Sequence, residues 1–282
     1  VRPDRDNIAA PDLPAGITWI GEAPESMPAA TAGGPALVHF LDFAQLNSVR
    51  TLPYLVEWER RYGGHGLTVL GVQAPRFPFG ADPDVVAAGL ADLGVAFPVA
   101  IDAERRLWQS YGCEGWPSLF LWSLGGALSW FHFGEGEYLG TEEAIQTELR
   151  EIDALRDLPA PMAPLRPTDG PGARVMAPTP ELFPGGSWER PWIAGEDGEE
   201  LTIPYEAGGA HATVEGMGKI EIELDGKPAA PVAVNGPAAL VALAEHPSHE
   251  RHTLTARPSP SLRVWSIDFS AGTLDASALT RP

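Results

Sequence analysis

Five prolines stand among the fourteen residues from Pro159 to Gly172. Proline has no backbone N–H to donate and fixes its own φ, so this run can neither join a sheet nor continue a helix. It reads as an extended spacer. The chain therefore divides in two, and the residue patterning on the two sides of the spacer differs in kind. With 282 residues, 44% of them hydrophobic, both sides can build a core.

Upstream, apolar strands alternate with amphipathic helices. Residues 1–35 are rich in Pro, Ala and Gly and read as an irregular lead-in with a short strand at Ile17–Ile20. Ala36–Phe43 is an almost unbroken apolar run, as in a strand covered on both faces. The spacing predicts a helix over Arg50–Tyr62, a strand over Leu67–Val72, and a helix that Asp82 caps and Pro83 opens, ending at Gly94. A strand at Phe97–Ile101 follows, then a short helix capped by Asp102 and ending at Tyr111-Gly112. Ser118–Trp122 and Ala127–Phe133 are paired by the turn Ser123–Gly126. A last helix is expected from Thr141 to about Leu155, with Glu142 and Glu143 at the positive end of its dipole. The fold class is α/β over residues 36–158, a sheet with helices on both faces.

Beyond the spacer, over residues 173–282, helical periodicity vanishes. Short alternating segments replace it: Glu200–Pro204, Ala212–Glu215, Lys219–Leu224, Val232–Val234, Leu240–Ala244, His252–Ala256 and Arg263–Phe269. Turn signals at Asp225-Gly226 and Asn235-Gly236 separate some of them. This pattern predicts an all-β sandwich of the jelly-roll type.

Charge and cysteine usage narrow the function. With 38 acidic against 19 basic residues, the net charge is -19, a sign that repels phosphate backbones. Nucleic acid and anionic membranes are poor partners for such a surface. No window holds 18 consecutive apolar residues, so no membrane-spanning helix is expected. The first residues lack the apolar core of a signal peptide, and Val1 is not an initiator Met. The expected compartment is extracytoplasmic if that end was trimmed and cytoplasmic otherwise. Cys113 is the single cysteine, so the chain has no intrachain disulfide, no dithiol couple and no thiolate zinc cluster. Nothing implies a cofactor.

Tyr111-Gly112-Cys113-Glu114-Gly115-Trp116-Pro117-Ser118, leading into an apolar strand, resembles the cis-proline loop of thioredoxin-fold proteins. The stretch from Leu37 through Arg50-Thr51-Leu52-Pro53-Tyr54 resembles the active-site strand, turn and helix of the redoxin branch, which includes the AhpC/TSA and TlpA-like proteins. Gly71–Phe77, Phe97–Ala100 and His132–Gly136 are similar to one subgroup, the soluble C-terminal part of the DipZ family. There a thioredoxin-like domain precedes a carbohydrate-binding-module-like β-sandwich. The resemblance runs over roughly residues 10–280, domain order included.

That resemblance implies a Cys-x-x-Cys pair directly before the helix, where the helix N-terminus lowers the first thiol's pKa. In the register set by Asn47 and Arg50–Pro53, the two positions hold Gln45 and Ser48. The buried acid that the family places six residues before the first cysteine is His39 here. All three redox positions differ, so dithiol–disulfide exchange is excluded. Ser48 sits where a helix cap belongs; the functional alternative is a serine nucleophile with His39 as base. His39 otherwise reads as a core histidine. Cys113 reads either as a small buried filler or as a reactive monothiol that shares space with the helix N-terminus. Trp116 and Pro117, with Gln45, Asn47 and Ser48, would line a polar groove that pairs with an extended peptide.

Three further groups of residues carry side chains suited to chemistry or binding. His246, His249 and His252 with Glu245 and Glu250 resemble a metal cluster. Yet Pro247 breaks a helix and strand alternation separates spacings of three, so an exposed hairpin tip without metal is expected. Gly134-Glu135-Gly136 lacks a following lysine and reads as a tight turn. Trp188, Trp192 and Tyr205 could form an aromatic platform for a glycan, although sandwich cores also need tryptophan. The expectation from sequence is a binding or scaffold protein for a peptide, a protein partner or a glycan. The alternative is a thiol-dependent oxidoreductase of the thioredoxin or peroxiredoxin type, working through Cys113.

Overall fold

The computed structural model describes residues 8–274. They form two compact units, one of residues 8–43 and 47–164, the other of residues 165–274 together with 44–46. The first unit is built on a six-stranded sheet. Its strands in chain order are β1 (Thr18–Ile20), β2 (Ala36–Leu41), β3 (Thr68–Gln73), β4 (Val99–Ile101), β5 (Ser118–Trp122) and β6 (Leu128–Phe133). The spatial order is β1-β4-β3-β2-β5-β6. The neighbours β2, β3 and β4 run parallel, whereas β1, β5 and β6 pair antiparallel. The helices are α1 (Met27–Ala30), α2 (Leu46–Tyr62), α3 (Pro83–Asp92), α4 (Arg106–Ser110) and α5 (Tyr138–Ile152). This is the α/β thioredoxin-like arrangement.

Strand β2 is buried along its whole length, as its apolar run requires. Because side chains alternate across a strand, Ala36, Val38 and Phe40 serve one face and Leu37, His39 and Leu41 the other. The first set packs with Leu70, Val72, Phe120 and Trp122 of the neighbouring strands, Met27 of α1, and Leu107 and Trp108 of α4. Gly89 lets α3 lie against Phe43, since a Cβ there would stand 2.4 Å from the ring.

Three boundaries differ from those the sequence suggests. Helix α2 begins at Leu46, four residues before Arg50, because Ser48 does not cap it. Helix α5 begins at Tyr138, so Glu142 lies inside it rather than at its first turn. The Glu142 carboxylate is buried and accepts hydrogen bonds from Arg61, Tyr62 and the Met162 N–H. Asp102 precedes α4 by four residues, yet its carboxylate accepts the N–H of Trp108 in that helix's first turn at 2.8 Å. Helix α1 has no counterpart in the sequence reading; Ser26 caps it through the Ala29 N–H. No helix among the described residues is long and apolar enough to cross a membrane.

The second unit is all-β, a curled antiparallel sheet consistent with a sandwich. Two long bent strands dominate it, β9 (Leu201–Leu224) and β11 (Val232–Pro258). They are accompanied by β7 (Val175–Met176), β8 (Trp192–Ile193), β10 (Lys227–Pro228), β12 (Arg263–Ser270) and β13 (Gly272–Thr273). Partners along β9 and β11 count in opposite senses, Val232 against Ile220, Leu240 against Thr213 and Leu254 against Ile203. In β9 the core side chains are Ile203, Tyr205 and Ala207, then Ala210, Ala212 and Val214, so the buried parity inverts at Gly208-Gly209. Neither glycine tolerates a Cβ, which would meet Ala271 O at 2.6 Å and Ala244 O at 2.8 Å. The predicted turn at Asp225-Gly226 is present, with both residues at positive φ. Asn235-Gly236 instead lies inside β11, where Gly236 takes a φ of 113° within a register irregularity.

Candidate functional site

The turn between β2 and α2 is held by side chains from inside the fold. The Asp42 N–H donates to Ser48 Oγ at 3.2 Å, and the Phe43 N–H donates to Gln73 Oε1 at 3.0 Å. Asp42 is itself fully buried, and its carboxylate accepts the Arg76 N–H at 2.6 Å. Ser48 therefore fixes the end of β2 instead of capping α2, a correction to the sequence reading. Gln45 and Asn47 are half-buried on either side of Leu46, and the Asn47 carbonyl accepts the Thr51 hydroxyl at 2.8 Å.

His39 is completely buried, and neither ring nitrogen has a hydrogen-bond partner. Burial penalises the imidazolium and lowers its pKa to about 3. The ring is neutral at any ordinary pH and is not hydrogen-bonded to Ser48, so the pair does not form a nucleophile and base.

The Trp116–Pro117 peptide bond is cis. The Pro117 carbonyl accepts the Gly134 N–H at 2.8 Å, which ties the loop to the end of β6. The Trp116 indole N–H donates to the Ala74 carbonyl at 2.9 Å. Its ring lies 4.5 Å from that of Trp108, with the Arg105 guanidinium 5.1 Å from the ring centre on a cation–π contact. The side chain is thus locked, whereas the Trp116 backbone N–H and C=O meet no hydrogen-bond partner among the described residues.

The turn at Gly134-Glu135-Gly136 is present, both glycines at positive φ. Its acid has a use that sequence reading missed: Glu135 pairs with Arg50 of α2 at 2.6 Å, each side chain only 15% exposed. Beside them Tyr54 stacks on Tyr138 at 3.7 Å. A lone acid between two glycines after a strand was the available signal. Only the fold supplies its partner 85 residues away.

Cys113 is buried among Phe40, Trp108, Tyr111 and Phe120, the face of β2 opposite His39. Burial pushes its pKa up to about 12; a hydrogen bond with Ser118 opposes that shift and the charge of Asp102 adds to it. Burial outweighs the Ser118 hydrogen bond, so this thiol stays protonated at neutral pH.

In the second unit, Trp192 and Tyr205 are core residues at 4% exposure each, and Trp188 is exposed at 48%. The three rings do not make a shared solvent-facing platform. Tyr205 instead bonds to His246 through its hydroxyl at 2.7 Å. The histidine segment is not a hairpin tip: residues 246–252 lie within β11, where His246, Glu250 and His252 converge. His249 stands apart, its side chain buried and its Nε2 3.6 Å from Glu206. Glu245 is paired opposite Gly209 in β9 and is not part of the cluster.

No protein-family model matches the chain. Among curated proteins, Protein DipZ of Mycobacterium bovis and Protein DipZ of Mycobacterium tuberculosis are each 28% identical over 300 aligned positions. Those alignments take in 92% of this chain and 42% of the DipZ proteins, so the chain spans well under half of their length. Among solved structures, a putative thiol:disulfide interchange protein DsbE from Chlorobium tepidum is 20% identical at a TM-score of 0.43. It covers 50% of this chain and 95% of its own. The DipZ likeness takes in both units of the chain, the redoxin-like one and the all-β one, in a single alignment. On that ground the chain is similar to the DipZ proteins across both of its units.

Proposed function

We propose that this redoxin relative works by binding rather than by thiol chemistry, holding an extended peptide segment of a partner protein along the Trp116–Pro117 loop. The observation that carries this reading is the unpaired backbone N–H and C=O of Trp116, next to an indole that is fixed by Ala74, Trp108 and Arg105. An extended peptide adds to such an edge through main-chain hydrogen bonds, and a rigid edge loses little entropy on pairing. Gln45 and Asn47 supply polar, unreactive side chains beside the start of α2, where a dithiol would otherwise act. The lone thiol offers no substitute, being buried and protonated. A glycan role for the second unit gains no support from Trp188, Trp192 and Tyr205, two of which are core residues.

The test is a displayed library of linear peptides panned against the full chain, with enriched peptides measured by calorimetry. Binding should survive Cys113→Ala within about twofold. It should fall about tenfold or more when the peptide residue facing Trp116 is N-methylated, since that removes one main-chain hydrogen bond of roughly 1.4 kcal/mol. Absence of any enriched peptide would overturn the proposal, as would binding that is abolished by Cys113→Ala and by reductant.

A further inference from the structure

The cluster in β11 arises from a break in strand pairing. Glu245 lies opposite Gly209 of β9, and Glu250 opposite Ala207. His246–His249 therefore face Gly208 alone, and the extra residues bulge out of the ladder. Strand alternation no longer separates the side chains, and the rings of His246 and His252 stack with centroids 4.1 Å apart.

The polar partners around them are unbalanced. His252 Nδ1 is 2.7 Å from Asp225 Oδ2, and His252 Nε2 is 3.3 Å from Glu250 Oε2. A neutral imidazole has one N–H. Only the imidazolium, with two N–H groups, can serve both carboxylates; in the neutral ring, with its proton given to Asp225, the Nε2 lone pair faces a carboxylate oxygen. A metal cation held between that lone pair and the Glu250 carboxylate fits the same geometry without a second ring proton. Asp225 is held in place by accepting the Thr253 N–H at 2.8 Å, and Glu250 by accepting the Ser248 hydroxyl at 2.9 Å. One donor atom from each of His246, Glu250 and His252 lies within 4.8 Å of the other two. A cleft of about 440 Å³, lined in part by Tyr205, Asp225 and His252, adjoins the cluster.

We propose that the second unit binds a divalent cation of the zinc class through His246, Glu250 and His252, with Asp225 as the positioning residue that holds His252 by its Nδ1–H. Two imidazole nitrogens and one carboxylate oxygen suit a borderline-soft ion, and the fourth tetrahedral position is left to water or to a ligand in the cleft. The carboxylate–histidine–metal relay at Asp225 is the arrangement that fixes tautomer and ring orientation. Metal–nitrogen bonds of about 2.0–2.1 Å in a tetrahedron set donors roughly 3.4 Å apart, so binding draws the three side chains together by up to about an ångström. This inference is independent of the peptide reading above, since all its residues belong to the second unit.

The experiment titrates chelator-treated full chain with Zn²⁺ against a fluorescent zinc chelator, with Co²⁺ absorption as the reporter of geometry. The expected result is one Zn²⁺ per chain and a tetrahedral Co²⁺ spectrum. Affinity should fall about 100-fold or more in His252→Ala and in Glu250→Gln, and 10–100-fold in Asp225→Asn, with recovery in Asp225→Glu. Asparagine keeps the acceptor for the Thr253 N–H, and Glu250 is partly exposed, so both variants should retain the native circular dichroism. Zn²⁺ that binds equally well to Glu250→Gln and His252→Ala would mean capture by surface carboxylates and would overturn the site. An octahedral Co²⁺ spectrum in the native protein, or the absence of saturable binding, would overturn it as well.

Discussion

The turn before α2 in the first unit and the bulge of β11 in the second are both clusters of polar side chains, and they differ in how their hydrogen-bonding capacity is engaged. Around the turn, Ser48, Asp42 and Gln73 accept backbone N–H groups of Asp42, Arg76 and Phe43, so side chains in positions suggestive of chemistry serve to shape the chain. Around the bulge, two carboxylates flank one imidazole, Asp225 at Nδ1 and Glu250 at Nε2 of His252. Reactivity follows unsatisfied lone pairs more than residue type or motif position. Its extreme case in the first unit is His39, whose two nitrogens have no partner but also no access.

That contrast predicts the largest effect. Native His39 stays neutral down to a pKa of about 3, whereas the ordinary histidine value is 6.5. As pH falls below 6.5 the unfolded chain takes up a proton that the native chain refuses. Stability present above that pH is therefore lost progressively toward pH 3, by at most about 1.4 kcal/mol per pH unit. His39→Leu removes the slope and should raise stability at neutral pH by about 1–2 kcal/mol, because two buried polar atoms without partners disappear. Urea midpoints measured from about pH 4 to 8 check both claims. If the pH profiles of the two proteins run parallel, His39 is solvated and the contrast with His252 fails.

The next effect concerns the thiol. A pKa near 12 leaves almost no thiolate at neutral pH, and a side chain 8% exposed meets reagent only when the structure opens. Alkylation of Cys113 should therefore be slow in the native protein and should accelerate through the urea transition. Cys113→Ala should cost about 1–2 kcal/mol, the loss of one buried sulfur in an aromatic cluster. Rapid alkylation with a midpoint below the free-cysteine range of about 8.5 would restore the monothiol reading and weaken the case for a binder.

Much of the first unit was legible in sequence because its signals are local. The apolar run of β2, the Asp82-Pro83 start of α3 and the glycine turn between β5 and β6 all act within a few residues. The boundaries that slipped were those where a long-range partner takes over a local signal. Ser48 looks like a cap, but Asp42 claims its hydroxyl; Glu142 looks like a dipole carboxylate, but Arg61 and Tyr62 bury it. In the second unit, alternation found strand-forming residues but broke β9 and β11 into six short strands, and it misplaced the histidines. Period-2 reasoning assumes an unbroken ladder, and the bulge opposite Gly208 depends on how two distant segments register. Trp192 and Tyr205 were ambiguous for the same reason, since which face of the sheet is covered is not written in the strand itself.

The smallest effect tests how the first unit's candidate site is braced. Arg50 and Glu135 join the first turns of α2 to the turn after β6, with both side chains mostly shielded from water. Such a pair exceeds an exposed ion pair but still carries the desolvation of two charges, so its coupling in a double-mutant cycle should be about 1 kcal/mol. Arg50→Met and Glu135→Gln should each cost about 1–2 kcal/mol, since each leaves the other charge half-buried. If this brace positions α2 relative to the Trp116–Pro117 loop, Glu135→Gln should also weaken peptide binding more than its stability loss explains. Measured well below the unfolding transition, a binding constant unchanged by Glu135→Gln would confine the pair to stability. An affinity loss would show that the order found at this turn serves recognition, in contrast to the open valence of the β11 cluster.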